Sequence, residues 1–290
     1  MREIHEKAYA KLNLSLDVVG KRSDGYHDMR MVMQTVSLCD ELRLVLRHDG
    51  KINVTSDVHF LPCDERNIAY KTAKAFFKRI DRTDLGVGIS IKKHIPVCAG
   101  MGGGSSDGAA VLRSLNTLLG KPLTATELEE LGMTLGSDIP FCICGGTSLA
   151  EGRGEILTGL TPLSDCHIVI CKPRFSVSTP DLFKRLDSCD LRYHPDTPGL
   201  ISALDSQDLS GVSRRMFNVF EDVLPPNMNK ISEIKSLLLD KGALGAVMTG
   251  TGSAVFGIFD NKSRAYGAKT ELQKHYRDVY IAVPKKKIGI

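Results

Sequence analysis

Residues 96–110 read Pro96-Val97-Cys98-Ala99-Gly100-Met101-Gly102-Gly103-Gly104-Ser105-Ser106-Asp107-Gly108-Ala109-Ala110, and no other stretch of the chain carries as much chemistry. Four glycines and two serines crowd positions 100–106. A strand-like run, Val87-Gly88-Ile89-Ser90-Ile91, precedes them, and a helix-like run, Val111-Leu112-Arg113-Ser114-Leu115, follows. Such a junction lets the backbone bend close to a ligand and aims unpaired N–H groups at it, while the helix macrodipole adds partial positive charge. The site suits phosphate. The alternative is a plain surface loop, and its place between two strongly patterned elements speaks against that.

Two familiar phosphate loops are excluded. No lysine precedes Ser105, so the G-x-x-x-x-G-K-[ST] pattern is absent. The loop also opens on a proline-broken strand end with no βαβ unit expected around it, which excludes the dinucleotide fingerprint. Bound phosphates must then be neutralised by backbone N–H groups, the helix end and a divalent ion. A second glycine cluster, Met248-Thr249-Gly250-Thr251-Gly252-Ser253, lies between two strand-like runs. It reads either as an ordinary hairpin or as the opposite wall of one cleft.

Lys11 and Asp138 are the acid–base candidates. Lys11 shares a strand face with Asn13, their tips about 7 Å apart. A lone lysine on an exposed strand face is ordinarily just solvated. Asp138, in Leu135-Gly136-Ser137-Asp138-Ile139-Pro140, follows a helix exit and could equally form an Asx-type turn. Buried side by side, the two would hold each other charged, and the carboxylate could take a proton from an alcohol.

The elements that must position these groups are legible in outline. Ala8, Ala10, Leu12, Leu14, Leu16 and Val18 alternate with Lys11, Asn13, Ser15 and Asp17, which predicts a half-buried strand over 8–18. A turn at Asp24-Gly25 returns the chain into strands near 31–38, 42–46 and 52–55. Asn67 reads as the N-cap of a helix carrying Phe76 and Phe77, and Thr124-x-x-Glu127 as a capping box opening a helix through Leu135. Strands near 147–150 and 155–157 flank Gly152-Arg153-Gly154. A domain over 1–160 is expected to end there, followed by a second over 161–290. The latter reads as a strand at 168–171, a helix from Thr179, helices near 210–218 and 229–241, strands at 245–248 and 254–259, a helix, and a last strand at 280–283. Strands, helices and hairpins mixed in this way predict an α+β fold.

Composition sets the bounds. The 290 residues carry 38 Lys+Arg against 34 Asp+Glu, a net +4 too mild to argue for nucleic acid by its field alone. Lys285-Lys286-Lys287 reads as a solvated tail. The eight cysteines show no CxxC pair or zinc spacing and read mostly as buried small hydrophobes in a reducing compartment, Cys142-x-Cys144 as core packing on one strand face. No leader or membrane span is apparent, so a cytoplasmic enzyme without a membrane partner is the expectation. No pattern decides an oligomeric state.

Ala10-Lys11-Leu12-Asn13-Leu14, the 96–106 loop and Gly250-Thr251-Gly252 together resemble the three motifs of the galactokinase/homoserine kinase/mevalonate kinase superfamily, in order along essentially the whole chain. Arg22-Ser23-Asp24-Gly25-Tyr26-His27 and the segment around Asp138 resemble its branch acting on a CDP-linked methylerythritol in non-mevalonate isoprenoid precursor synthesis. The resemblance implies a ribosomal-protein-S5-like N-terminal domain and a ferredoxin-like C-terminal domain with a cleft between them. It implies ATP, with Mg2+, held by Pro96, Val97, Cys98, Ala99, Gly100, Met101, Gly102, Gly103, Gly104, Ser105 and Ser106, with Asn67 alongside, and transfer of the γ-phosphoryl group to the 2-hydroxyl of the polyol. Asp138 is then the general base, Lys11 activates the hydroxyl and the base, and Asn13 helps orient the substrate. Tyr26 and His27 recognise cytosine, with Phe183 as the second stacking aromatic unless it is a helix core residue. Gly250, Thr251 and Gly252 complete the substrate side. The metal ligands stay unassigned, Glu127 and the loop serines alone suggesting themselves. Gly108 stands where alanine is usual, at a cost to the helix of about 1 kcal/mol.

Two other functions fit the sequence less well. A superfamily kinase acting on homoserine, mevalonate or a sugar would not need the Tyr26-His27 pair. An S5-like RNA-binding module would need a dense Lys/Arg face, which the chain lacks.

Overall fold

Alternation around residue 12 extends in both directions, and the first strand runs Glu3–Lys21 (β1) in the computed structural model, which describes residues 2–189, 191, 193–225 and 228–289. The turn at Asp24-Gly25 closes through Arg22 N to Tyr26 O at 2.8 Å and leads into β2, His27–Arg47. The two strands expected near 31–38 and 42–46 are therefore one. The β1–β2 register breaks between Tyr9 and Lys11, between Asn13 and Ser15, and again near Val18. A one-residue slip turns following side chains to the other face of a strand. Accordingly Ala8, Leu16 and Val18 join one buried cluster, whereas Ala10, Leu12 and Leu14 join another. The single apolar side expected over 8–18 is divided between two cores. Nor is the polar side in water: Lys11, Asn13, Ser15 and Asp17 are all buried, because later parts of the chain cover them.

β3 (Ile52–Ser56), α1 (Ile68–Arg79) and β4 (Gly86–Lys92) follow, and β3 pairs with β4 in parallel. A βαβ unit thus does adjoin the glycine loop, against expectation. The loop nevertheless leaves from the unit's second strand, not from the first as in a dinucleotide fold. Then come α2 (Gly103–Leu118), α3 (Ala125–Met133), α4 (Ile139–Cys144), β5 (Thr147–Gly152) and β6 (Ile156–Gly159). Asn67 caps α1 by accepting from Ala69 N at 2.8 Å, and Thr124 and Glu127 form the capping box of α3. Cys142 and Cys144 sit on α4, not on a strand: the segment's apolar run suits either period, and Gly145 ends it after six residues. α2 packs on β1, β2, α1 and α4, burying Val111, Leu112 and Leu115 completely. Each such side chain contributes about 1.5–3 kcal/mol.

The rest is β7 (His167–Lys172), α5 (Thr179–Asp187), α6 (Thr197–Asp205), α7 (Leu209–Arg214), β8 (Phe217–Asn218), a 3-10 turn at Val219–Val223, α8 (Lys230–Asp240), β9 (Gly245–Met248), β10 (Val255–Phe259), α9 (Lys262–Gln273) and β11 (Asp278–Ala282). α6 was not expected: its buried positions are few, and Pro198 resembles turn chemistry although it occupies the first helical turn. The order β11-β7-β10-β9 makes a four-stranded antiparallel sheet of ferredoxin-like arrangement. The other sheet has seven strands, six from the N-terminal part and β8, which pairs in parallel with β1 at Ser15 and Leu16. Ile168, Ile170, Phe256 and Ile258 share a core with Ala10, Leu12 and Leu14, so the two sheets are joined by apolar burial.

The lysine tail is also tied down. Lys285 N donates to Thr35 O at 2.8 Å and Ile288 N to Cys144 O at 2.8 Å, with bridges pairing Val36 with Pro284 and Gly145 with Lys287. Only Cys142, Cys166 and Cys171 are fully buried; Cys63, Cys98 and Cys189 are exposed, and all eight cysteines are unpaired. Among the described residues no helix is long and apolar enough to cross a membrane.

Candidate active site

The register breaks in β1 aim Lys11 and Asn13 at the glycine loop. Lys11 N donates to Met101 O at 3.0 Å and Ser106 Oγ to Tyr9 O at 2.6 Å, stitching strand to loop on both sides of the first break. Gly102 has φ +67 and caps α2 with no side chain; a Cβ there would lie 3.0 Å from Lys11 Cγ. Glycine is thus required both for the left-handed backbone and for the passage of the lysine stem.

The ammonium of Lys11 donates to Asn13 Oδ1 at 2.8 Å and lies 3.4 Å from Asp138 Oδ2. The two tips on β1 touch, where extended spacing predicted about 7 Å between them. Lys11's side chain is 5% exposed and Asp138's 26%, so the pair is screened from bulk water except on the carboxylate's open side. Asp138 opens α4, yet its side chain makes no capping bond. Freed from the Asx-type turn it resembled, the carboxylate faces Lys11 instead. Beneath it lies Cys142, whose thiol burial pushes up to about 12, with Asp138 adding to the shift, so it stays a neutral packing group.

Asn13 is fully buried. Its Oδ1 also accepts from Gly250 N at 3.0 Å, and its backbone N–H donates to Thr249 Oγ1 at 3.1 Å. It therefore lies out of ligand reach and joins Lys11 to the second glycine cluster. That cluster is the other wall of the site: Ala254 N donates to Ala99 O at 3.2 Å, and a Cβ on Gly100 would stand 2.1 Å from Thr249 O. Thr251 Oγ1 meets Thr179 Oγ1, at the start of α5, at 2.8 Å.

Pro96 through Ser105, with Leu61, Pro62, Asn67 and Ile68, line a cavity of about 410 Å3. Asn67 Oδ1 accepts from Ala69 N and its Nδ2 donates to Pro62 O, which leaves one Nδ2 hydrogen toward the cavity it lines. Ser106 turns away to Tyr9, whereas Ser105 Oγ makes no hydrogen bond among the described residues and lies on the open end of α2. Glu127 is spent on the α3 cap and on Arg79 at 3.0 Å, which removes it as a metal ligand. No cluster of three His, Cys, Asp or Glu suited to a metal ion occurs among the described residues.

One supporting cluster was invisible in the sequence. Lys93 pairs with Asp40 and, at 2.7 Å, with Asp107, all three side chains buried; Asp40 Oδ1 accepts from His94 N at 2.6 Å and Ile95 N at 2.8 Å. These bonds pin the chain just before the loop. Burial pushes the Asp107 carboxyl up, Lys93 pulling partway back.

At the far end of the cleft His27 stacks on Phe183, ring centroids 4.5 Å apart, and Phe183 meets Phe220 edge-on at 5.0 Å. His27 Nε2 also contacts Asp187 at 2.7 Å, and Lys21 Nζ does so at 2.6 Å; the lysine foremost, then the imidazole, hold that carboxyl below its usual range. Tyr26 is 53% exposed, with Arg153 over one face at 3.8 Å. Asp187 and Arg153 escaped sequence reading: nothing local marks an acidic residue late in a helix or an arginine in a hairpin turn as site residues.

The chain has relatives among known proteins. Residues 67–146 match the GHMP kinases N terminal domain and residues 200–278 the GHMP kinases C terminal domain. A protein of Alkaliphilus metalliredigens named 4-diphosphocytidyl-2-C-methyl-D-erythritol kinase is 42% identical over 97% of this chain and 96% of its own length. One of Clostridioides difficile with the same name is 44% identical over 96% and 94%. The chain belongs to the GHMP kinase family. It is therefore an ATP-dependent phosphotransferase with the family's two-domain α+β fold. A crystal structure of 4-(cytidine 5'-diphospho)-2C-methyl-D-erythritol kinase superposes with a TM-score of 0.81 at 29% identity, covering 99% of this chain and all of that one. Homoserine kinase from Cytophaga hutchinsonii matches with a TM-score of 0.76 at 20% identity, a likeness of fold alone.

Proposed function

We propose that this GHMP kinase transfers the γ-phosphoryl group of ATP to the 2-hydroxyl of 4-diphosphocytidyl-2-C-methyl-D-erythritol, in the cytoplasm, on the non-mevalonate route to isoprenoid precursors. The observation that carries the chemistry is the Lys11–Asp138 contact, 3.4 Å, beside the glycine loop that lines the cavity. Identity of 42% and 44% over nearly the full length to two kinases of that name supports the substrate.

Residues 1–160 form the nucleotide half and 161–290 the half that closes the substrate cleft. ATP lies in the 410 Å3 cavity, its phosphates on the uncapped start of α2 and on backbone N–H groups of the loop. The acceptor hydroxyl donates its proton to Asp138 Oδ2 as its oxygen bonds to the γ-phosphorus, and the bond from that phosphorus to the bridging oxygen of ADP breaks. The ammonium of Lys11 stabilises negative charge on the attacking oxygen and, 3.4 Å from Asp138 Oδ2, holds the base in place. Asn13 fixes Lys11 by accepting from its ammonium. Phosphoryl transfer asks little else of a protein beyond placement and charge. Magnesium, if bound with ATP, would be held on the protein side by Ser105 Oγ and would offset the charge of the triphosphate.

ATP consumption with the diphosphocytidyl substrate tests the assignment, with homoserine and mevalonate as rival acceptors. The cytidyl substrate alone is expected to drive turnover, and Asp138→Asn to lower kcat by about 10²–10⁴-fold with the thermal midpoint unchanged. Equal turnover of homoserine, or wild-type rates in the variant, would overturn it.

A further inference from the structure

We propose that Arg153 is the residue that selects a cytidyl substrate bearing a diphosphate: its guanidinium braces Tyr26 from one side and pairs with a phosphate oxygen of the bound nucleoside diphosphate. The inference rests on the cytidyl-substrate reading above and names the group that reads the substrate's anionic linker.

Arg153 occupies the tip of the β5–β6 hairpin. Its guanidinium carbon lies 3.8 Å from the centre of the Tyr26 ring, a stacked cation–π arrangement. Its Nε is buried with no hydrogen-bond partner, and among the described residues no carboxylate lies within ion-pair distance of the side chain. The nearby acids have closer partners, although the charge of Arg153 also helps, after the Tyr26 backbone bond and Arg22, to hold the Asp24 carboxyl low. Glu155 accepts from the Arg153 backbone N–H at 2.6 Å, Asp24 accepts from Tyr26 N at 3.1 Å and Arg22 at 3.2 Å, and Glu151 pairs with Arg30 at 3.2 Å. Arg113, a fully buried arginine in this half where Arg153 is half-buried, shows the usual state of such a group, with Glu6 at 3.0 Å and the Cys142 carbonyl at 2.7 Å. A buried donor without an acceptor is costly to a folded protein, and an anionic ligand removes the deficit.

Position supplies the second argument. The Ser137 carbonyl, one residue before Asp138, packs on the same hairpin tip, 3.5 Å from where a Cβ on Gly154 would stand. Along the cleft the order is thus Tyr26, Arg153, Asp138. A substrate built as base, diphosphate and alcohol needs that order of partners: an aromatic face, a forked cation and a base. Arginine suits the middle position because its planar fork matches two phosphate oxygens while its face still covers Tyr26.

Calorimetric titration of the full chain with cytidine, CMP and CDP tests this, in wild type, Arg153→Met and Arg153→Lys, with Arg153→Gln in place of Met should that variant fold poorly by circular dichroism. The preference for CDP over cytidine is expected to fall about tenfold in the Met or Gln variant and to recover partly in Lys, while KM for ATP stays unchanged. If Arg153 only braces Tyr26, cytidine and CDP weaken together and the ratio holds; that result would overturn the proposal. Wild type that binds CDP with an unchanged variant ratio sinks Arg153 alone. Wild type that binds neither cytidine nor CDP sinks the cytidyl reading and this inference with it.

Discussion

Lys11 and Asp138 stand 127 positions apart, and the ammonium that joins them is held by Asn13, itself bonded to Gly250 far down the chain. Around Lys11 and Asp138 there is little other buried charge. The larger concentration of charge is Asp40–Lys93–Asp107, two carboxylates on one ammonium, which holds the backbone entering the phosphate loop. Burial, and then the nearby Asp40, raise Asp107 from its ordinary 3.8 to about 7 against the pull of Lys93. The folded protein therefore keeps a proton there that the unfolded chain releases, so stability is lost as pH rises from about 4 through 7. Asp107→Asn removes that dependence. Urea titrations across this window should show the variant gaining on wild type by at least about 1 kcal/mol, whatever constant offset the lost Lys93 contact introduces. A difference flat with pH would mean Asp107 is ionised throughout.

At the scale of elements, β1 and α2 do the placing. The breaks in β1 turn its middle segment so that its apolar residues meet the second sheet and its polar ones meet the loop. α2 brings its open end to the cavity, and it tolerates Gly108 near its start for a packing reason. A Cβ at 108 would lie 3.0 Å from Thr72 Oγ1 and 3.4 Å from Ile139 Cδ1, and that hydroxyl is buried without a partner. Alanine's helical advantage of about 1 kcal/mol is thus opposed by crowding against α1. Gly108→Ala is expected to be near neutral in wild type and stabilising by about 1 kcal/mol in a Thr72→Ala background. Denaturant midpoints of the four proteins in that cycle measure the coupling, and additivity would exclude the Thr72 contact as the cause.

For the whole molecule, the candidate active site lies at the seam between two sheets that share a core. Gly100 and the second glycine cluster approach at backbone distance, and φ at Gly100 is +74. A side chain there has nowhere to go but between the halves. Gly100→Ala is expected to cost at least about 2 kcal/mol and to raise KM for ATP and acceptor together; an unchanged thermal midpoint would show that the seam yields freely. Much of this arrangement was readable beforehand. The glycine loop, the caps at Asn67 and Thr124 and the Lys11, Asp138 and Gly250 motifs announce themselves because loop chemistry, capping and short motifs act within a few residues. The buried polar face of β1, the division of its apolar face and the helix under Cys142 and Cys144 were not readable, since alternation states a period but not what covers each side. What the sequence by itself determined was the family, the α+β class and the residue types the chemistry needs. Which carboxylate meets Lys11, that Glu127 is spent on a cap and that Arg153 is left unpaired were decided only in three dimensions. Pairing energy depends on distance and burial, and neither is a property of position along a chain.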